Sequence, residues 1–542
     1  MGVTASGHVA GLPTVAADTA DGTSEDASLT HRARRGALWT GASAIVLRLS
    51  SVLVMVVVAR IITPAELGVF ALAIAVYGFV VCVGVWGVGA AIGRSDLDVD
   101  KLGPTVTTFS ALSGCATAAV MALLAGPLAS ALGVPEATVP IRILAIVVAL
   151  QGIFAVPVGQ NQRQFRQDVV FRGDVMAFFG SNATLLLLVL VLPGAEAFAW
   201  SRVVGHVIVC LTITLALDKR YRPGWRAEYI VPLLRFGVPA ALGWMLSQFV
   251  LNVDYVIIGR EMSTVDLGLY MLAFNIASWP TAVFGAVVNQ IVLPAFSAVN
   301  RDGGDLRQAL SRAVQAVAFV ACPIAAFTCA YAYPLIGTVY GGRWIAAAPV
   351  LSVLALYGVL YVLGILFDNI MIAAGRTATM FAVQAAALVA LVPAMIVGVH
   401  MRGLVGVGVA HIVVVLGVTM PAYMVALHRI TGSGIGVTLR ALSRPVVAAL
   451  AATGGALVVT HPIRSPIVTL FVALAVGAIV YLAVAGRALV QYLPRRVADQ
   501  RLLVLATTWP QLLVGYLRPG SGHSEVPTAE TSSTTANHGE WR

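Results

Sequence analysis

The chain has 542 residues, of which 59% are hydrophobic and only 11% charged, with a mean hydropathy of +0.90 and a formal net charge of +10. A soluble domain carries about 25% charged residues, so the composition excludes a cytosolic enzyme, a secreted domain or a nucleic-acid reader as the main body. The class that remains is all-α and polytopic, a membrane protein whose solvent is lipid.

Residues 1–30 are polar, lack an apolar core and read as a cytoplasmic tail, not a cleavable signal. The basic cluster His31-Arg32-Ala33-Arg34-Arg35 follows directly before the first apolar run. From there the chain supplies about fourteen segments of the roughly 20 apolar residues that a span needs. The first eight are 37–62, 67–93, 104–132, 140–158, 174–192, 197–217, 232–259 and 267–293. The rest are 309–333, 347–373, 378–399, 404–427, 441–460 and 467–489. Residues 491–542 form a second tail. Within it Leu502, Leu503, Leu505, Trp509, Leu512, Leu513 and Tyr516 allow an interfacial helix, and a Ser/Thr-rich stretch ends the chain.

Positive charge sets the orientation. Arg94, Lys101, Arg163, Arg166, Arg172, Lys219, Arg220, Arg222 and Arg226 all fall in loops on the side of the N-terminus, as do Arg301, Arg307, Arg312, Arg376, Arg429, Arg440 and Arg444. The opposite loops hold Arg60, Arg260, Arg343, Arg402 and Arg464. Basic loops stay cytoplasmic, which puts both termini inside. The five cysteines lie in apolar segments without metal-ligand spacing and read as buried small hydrophobes.

An internal repeat organises the spans. Residues 59–73 align without a gap on 259–273, pairing Arg60 with Arg260, Glu66 with Asp266, Leu67 with Leu267, Gly68 with Gly268 and Phe70 with Tyr270. Gly205-His206-Val207-Ile208-Val209 likewise matches Ala410-His411-Ile412-Val413-Val414. The chain therefore divides into a first six-span lobe (31–217), a linker (218–231), a second six-span lobe (232–427) and two appended spans (428–490). Six is even, so the lobes share one orientation. Parallel repeats facing each other make an alternating-access carrier with its site near the midplane, between the lobes.

The pattern Asn252-x-Asp254-x3-Ile258-Gly259-Arg260, continued by Leu267-Gly268-x-Tyr270-x2-Ala273, resembles the Wzx-type polysaccharide flippases. These belong to the multidrug/oligosaccharidyl-lipid/polysaccharide exporter superfamily. Arg35-Gly36-Ala37-x-Trp39 and Gln164-Phe165-Arg166 are similar to its long fourteen-span branch, and the likeness runs from about residue 31 to 490. The resemblance implies a V-shaped pair of lobes that moves a lipid-linked oligosaccharide, usually on undecaprenyl diphosphate, across the inner membrane. It implies membrane lipid and other polysaccharide-assembly proteins as partners; no cofactor is expected, and positive charge confined to short loops is a topology signal and not a nucleic-acid footprint.

A sugar diphosphate on a lipid needs cations, hydrogen-bonding groups and aromatic faces. Arg48 lies near the centre of the first span, where an arginine costs about 2.5–3.5 kcal/mol and usually faces a cavity or partner. It shares an arc with Thr40 and Ser51. The residue is either a bidentate diphosphate ligand or half of an ion pair with Asp254 or Asp368. Trp244, Gln248, Leu251, Asn252 and Tyr255 fall within one arc of the seventh span, as do Asn275, Ser278 and Trp279 in the eighth. These groups suit glycan recognition, or else bond helix to helix. Arg202 and His206 sit one turn apart in the sixth span, and His411 repeats the histidine in the twelfth. They extend a cationic path, titrate, or pack near the outer ends. Asp254 and Asp368 either couple cations or cap helices and pair with Arg60, Arg260 or Arg376. Gly337-x3-Gly341-Gly342-Arg343-Trp344 lacks phosphate-loop spacing and reads as an outer interfacial turn.

Other functions fit less well. No Gly-x4-Gly-Lys-Ser/Thr supports direct ATP drive. A membrane glycosyltransferase or polymerase expects an acidic motif or a long outer loop, and the first outer loop has only Glu66. A cation-coupled multidrug exporter on the same fold is the principal alternative.

Overall fold

The computed structural model describes residues 50–85, 99–164, 166–217, 221–278, 305–432 and 435–490. The basic cluster 31–35, Arg48, Trp279, the side chain of Trp244 and the C-terminal tail lie outside the described residues. The described chain is helical. The helices are α1 (Ser50–Ile61), α2 (Pro64–Val85), α3 (Val99–Ala131), α4 (Thr138–Arg163), α5 (Gln167–Leu188) and α6 (Gly194–Leu215). Next come α7 (Ile230–Glu261), α8 (Thr264–Ala277), α9 (Leu306–Ala330) and α10 (Ala348–Ala373). The segment Thr377–Val414 breaks at Arg402 and Gly403, where Gly403 takes φ +57°, dividing α11 (377–401) from α12 (404–414). A π-turn, Val415–Thr419, and Met420–Thr431 carry α12 onward. The chain closes with α13 (Ile435–Thr460) and α14 (Pro466–Val490).

Nine stretches among the described residues are long and apolar enough to cross a membrane, and one of them, Thr377–Ile430, runs through both α11 and α12. Apolar side chains such as Leu53, Leu123, Leu187, Val389, Val458 and Phe471 point outward. Outward apolar residues are costly in water and favourable in hydrocarbon. Cys115 departs from the expected burial of the cysteines: it lies in an apolar helix but on the exposed face of α3.

Helices α2–α6 pack on one another, as do α7–α12, while α13 and α14 pack together and against α9. The two bundles join mainly where α2 lies along α8 and α7. One continuous apolar core runs through this seam, from Val58, Leu67 and Phe70 to Leu267, Tyr270, Trp344 and Leu351.

Candidate functional site

The seam is closed at the end that carries the α1–α2 and α7–α8 turns. Both turns are capping boxes, in which a hydroxyl residue and an acid three positions later satisfy each other's backbone N–H groups. Thr63 N–H donates to Glu66 Oε2 at 2.8 Å and Glu66 N–H to Thr63 Oγ1 at 3.3 Å. Asp266 N–H donates to Ser263 Oγ at 3.2 Å and Ser263 N–H to Asp266 Oδ2 at 3.3 Å. Glu66 also accepts Gly194 N–H at 2.8 Å, tying α6 to the turn. The acids matched in the repeat are therefore matched caps.

The helix starts so fixed meet through glycine. A Cβ built on Gly68 would lie 1.9 Å from the Thr264 carbonyl oxygen, and one on Gly268 would lie 1.8 Å from that of Pro64. Two positive-φ glycines flank this contact. Gly133 (φ +81°) approaches the Gly259 carbonyl, and Gly341 (φ +101°) approaches the Arg60 guanidinium. The turn around Gly341 leaves Gly342, Arg343 and Ile345 exposed, and it clasps the first bundle through one buried side chain. Trp344 is 0% exposed and donates its indole N–H to the Ala59 carbonyl at 2.9 Å. Arg343 donates to the Ile62 carbonyl at 3.0 Å, and Arg60 to the Thr338 and Val339 carbonyls at 2.8 and 3.2 Å.

Further along the seam the predicted amides come together. Asn252 Nδ2 donates to the Gln248 carbonyl at 2.9 Å and to Gln248 Oε1 at 3.2 Å, and both side chains face Gly78 of α2. Phe79 of α2 stacks on Phe249 of α7 beside them, with centroids 4.4 Å apart. Tyr255 leaves this arc and packs in the core against Tyr270 and Phe274. Asn275 is exposed and donates to the Met271 carbonyl at 2.9 Å. Ser51, in the described part of α1, is partly buried.

The two repeat-matched histidines occupy different surroundings. His206 is set about 18 Å along α6 from Gly194 at 1.5 Å per residue. Its Nε2 lies 3.0 Å from Gln151 Nε2, which also donates to the Tyr77 hydroxyl at 2.7 Å. Arg202, one turn away, is exposed and within electrostatic reach of both Tyr77 and His206. His411 is buried in the second bundle, with Nε2 3.1 Å from the Tyr270 hydroxyl and 4.0 Å from Asp254 Oδ2. Its ring packs on Tyr357 with centroids 4.5 Å apart. Asp254 Oδ1 accepts the Tyr255 N–H at 2.9 Å, and Oδ2 is buried without a hydrogen bond among the described residues. Among the described residues the aspartate thus meets a histidine and tyrosines, and Arg48, one of its suggested partners, lies outside them.

Asp368 on α10 accepts hydrogen bonds from the Tyr423 hydroxyl and from Gln384 Nε2, the latter at 3.0 Å. Asp368 and His411 line one cavity of about 470 Å³ inside the second bundle, otherwise walled largely by Leu360, Met380, Phe381 and Leu391. Of the predicted residues, then, Gln248 and Asn252 meet at the seam, Arg202 and His206 lie in the first bundle, and Asp254, His411 and Asp368 gather in the second. Tyr77, Gln151, Gln384 and Tyr423 were missed. Each is a single polar residue in an apolar run, and that was the only signal of it.

Two helical bundles, joined along a seam that is closed at one end and lined by amides beyond it, have the architecture of a polytopic two-lobe membrane carrier. The family described as polysaccharide biosynthesis protein matches residues 57–349, and the chain belongs to that family. It is 21% identical over 415 residues to the lipopolysaccharide biosynthesis protein WzxC of Escherichia coli, covering 75% of this chain and 83% of that one. It is 22% identical over 360 residues to the teichuronic acid biosynthesis protein TuaB of Bacillus subtilis, covering 64% and 73%. In fold it is similar to the lipid II flippase MurJ in an inward closed conformation, with a TM-score of 0.66 at 12% identity over 83% of this chain and 99% of that one.

Proposed function

We propose that this chain is an inner-membrane flippase that carries lipid-diphosphate-linked oligosaccharide units from the cytoplasmic to the outer leaflet by alternating access, for cell-surface or extracellular polysaccharide. The observation that carries the reading is the closure of the seam by repeat-matched helices at Gly68 and Gly268. A carrier closed at one end by its own symmetry axis has its substrate route along the rest of that seam, where Gln248 and Asn252 lie. Family membership and the WzxC and TuaB relatives support polysaccharide assembly as the setting.

The basic loops support an orientation with the closed end outside and both termini in the cytoplasm. Arg48 and Arg202 supply cations for the diphosphate, and Ser51, Gln248, Asn252, Asn275 and Trp279 supply the glycan contacts. Moving an anionic carrier outward, with the cytoplasm negative, gains about 2.3 kcal/mol per charge per 100 mV. Asp254 and Asp368, with His411, are the groups that add ion coupling to that drive. The test is reconstitution into liposomes with a fluorescent polyprenyl-diphosphate oligosaccharide in one leaflet, followed by an impermeant quencher. Movement above that of empty liposomes is expected. No movement, together with gradient-driven efflux of a cationic dye, would overturn the reading in favour of a drug exporter.

A further inference from the structure

Arg440 and Arg444, counted with the loops in the sequence, both lie inside α13, about 7.5 and 13.5 Å of helix from Ile435 at 1.5 Å per residue. Both are exposed, among the outward apolar residues Leu439, Val446, Val447 and Leu450. An arginine on such a stretch is costly unless its head reaches the membrane interface or a partner. No hydrogen bond or ion pair to either guanidinium, or to that of Arg307 on α9, is found among the described residues.

Two cavities show where these guanidiniums converge. The first, of about 240 Å³, is bounded by Arg307 of α9 and by Gly436, Val437 and Arg440 of α13. The second, of about 320 Å³, is bounded by Ser443, Arg444 and Val447 of α13, Phe319 of α9, and Val484 and Ala485 of α14. Gly436, Arg440, Ser443, Arg444 and Val447 fall within an arc of about 100° on α13, so the cavities follow one another along a single face. The first has an arginine on both walls, and the second is apolar apart from Ser443 and Arg444. Ser443 spends its proton on the Arg440 carbonyl at 2.8 Å, which leaves the guanidiniums as the donors. The Tyr481 hydroxyl donates to the Phe319 carbonyl, tying α14 to α9 beside the second cavity.

No acid balances this charge. Leu306–Ala330, Ile435–Thr460 and Pro466–Val490 contain neither Asp nor Glu. Asp305, the N-cap of α9, accepts the backbone N–H groups of Arg307 and Gln308 at 2.9 and 3.2 Å. Neither cavity is lined by a residue of α2, α7 or α8, the helices of the seam, so the groove stands apart from the substrate route.

We propose that α9, α13 and α14 bind an anionic phospholipid of the adjacent leaflet, with its phosphodiester among Arg307, Arg440 and Arg444 and one acyl chain over Val447 and Val484. Guanidinium and phosphate pair through parallel hydrogen bonds, and the apolar second cavity favours a lipid over a soluble phosphate. A zwitterionic headgroup would bring its own ammonium among three guanidiniums with no carboxylate to offset it, so net negative charge is selected. The site gives the two appended spans, which the repeat does not contain, a role in matching the protein to its membrane. It stands whether or not the carried substrate is a lipid-linked glycan.

Native mass spectrometry of the purified full-length protein, titrated with phosphatidylglycerol or phosphatidylethanolamine of matched chains, tests this. The unmodified protein should hold phosphatidylglycerol several-fold more tightly. The double variant Arg440→Gln, Arg444→Gln is expected to weaken phosphatidylglycerol binding tenfold or more and leave phosphatidylethanolamine unchanged. Arg312→Gln removes an exposed arginine of α9 that lines neither cavity, and it should change nothing. Val447→Trp crowds the second cavity without altering charge and should cost a several-fold factor. Thermal unfolding in detergent controls for folding, and the tryptophan variant carries the test if the arginine variant is unstable. Unchanged phosphatidylglycerol affinity in either would sink the site, and an equal loss in Arg312→Gln would reduce it to a general basic surface. Displacement of the phospholipid by inorganic phosphate would reassign the cavities to a soluble anion, and displacement by polyprenyl diphosphate to the carrier lipid. Either result would overturn the proposal.

Discussion

Gly68 and Gly268 occupy matched positions in the repeat and meet across the seam, each against the carbonyl of the first residue of the other's helix. Neither carbonyl can swing away, because each belongs to a helix start already fixed by a capping box. A methyl group at either position has to push the helices apart, and overpacking of this kind costs about 1–3 kcal/mol. Gly68→Ala and Gly268→Ala should therefore open the closed end. In a cysteine-free background, Leu269→Cys should react with an impermeant maleimide several-fold faster once either alanine is added. Equal labelling rates would show that the contact does not hold the gate.

The clasp around Trp344 should be worth more than its small size suggests. Trp344→Phe keeps most of the ring but leaves the buried Ala59 carbonyl without its donor, a loss of about 1–3 kcal/mol. Trp344→Ala adds a cavity and should cost about 3–5 kcal/mol. Thermal unfolding in detergent should rank the proteins unmodified, then phenylalanine, then alanine. A phenylalanine variant as stable as the parent would mean that the indole bond contributes nothing.

The matched caps make a paired prediction. Thr63→Ala and Ser263→Ala each remove one side of a capping box, at about 0.5–2 kcal/mol. Hydrogen exchange should accelerate at residues 64–67 in the first variant and 264–267 in the second. Thr63→Ala should also loosen the start of α6, because Glu66 holds Gly194 as well. Exchange at Gly194 that stays at the parental rate would contradict that link.

Asp368 tests the coupling role separately from substrate binding. Asp368→Asn should make transport in liposomes insensitive to an imposed proton or sodium gradient while leaving movement driven by membrane potential. Tyr423→Phe removes a donor from the carboxylate and should change the response without abolishing it. An unaltered gradient dependence in Asp368→Asn would remove this residue from the drive.

Much of the fold was legible because lipid is a severe solvent. Each run that had to cross it, such as 348–373 or 435–460, had to be apolar and helical, and composition alone marks such runs. The repeat was legible too, since Arg60, Glu66 and Gly68 recur in register, although Thr63 and Ser263 were not recognised as the other halves of their boxes. The clasp was not legible. Trp344 finds Ala59 from the other bundle, and no local pattern predicts a bond between residues so distant in the chain. The histidines show the same limit. His206 and His411 matched in sequence, but the neighbours that distinguish them, Gln151 and Tyr77 against Asp254 and Tyr270, come from other helices.

The glycine contact is self-complementary: Gly68 faces the residue matched to Pro64, and Gly268 faces Pro64 itself. One helix therefore supplies everything both sides need, as in an isologous dimer. A half-length ancestor bearing a single copy of this turn would close against a second copy of itself. Gene fusion would then have tethered a pair that symmetry had already joined, and freed each half to change its own histidine's company.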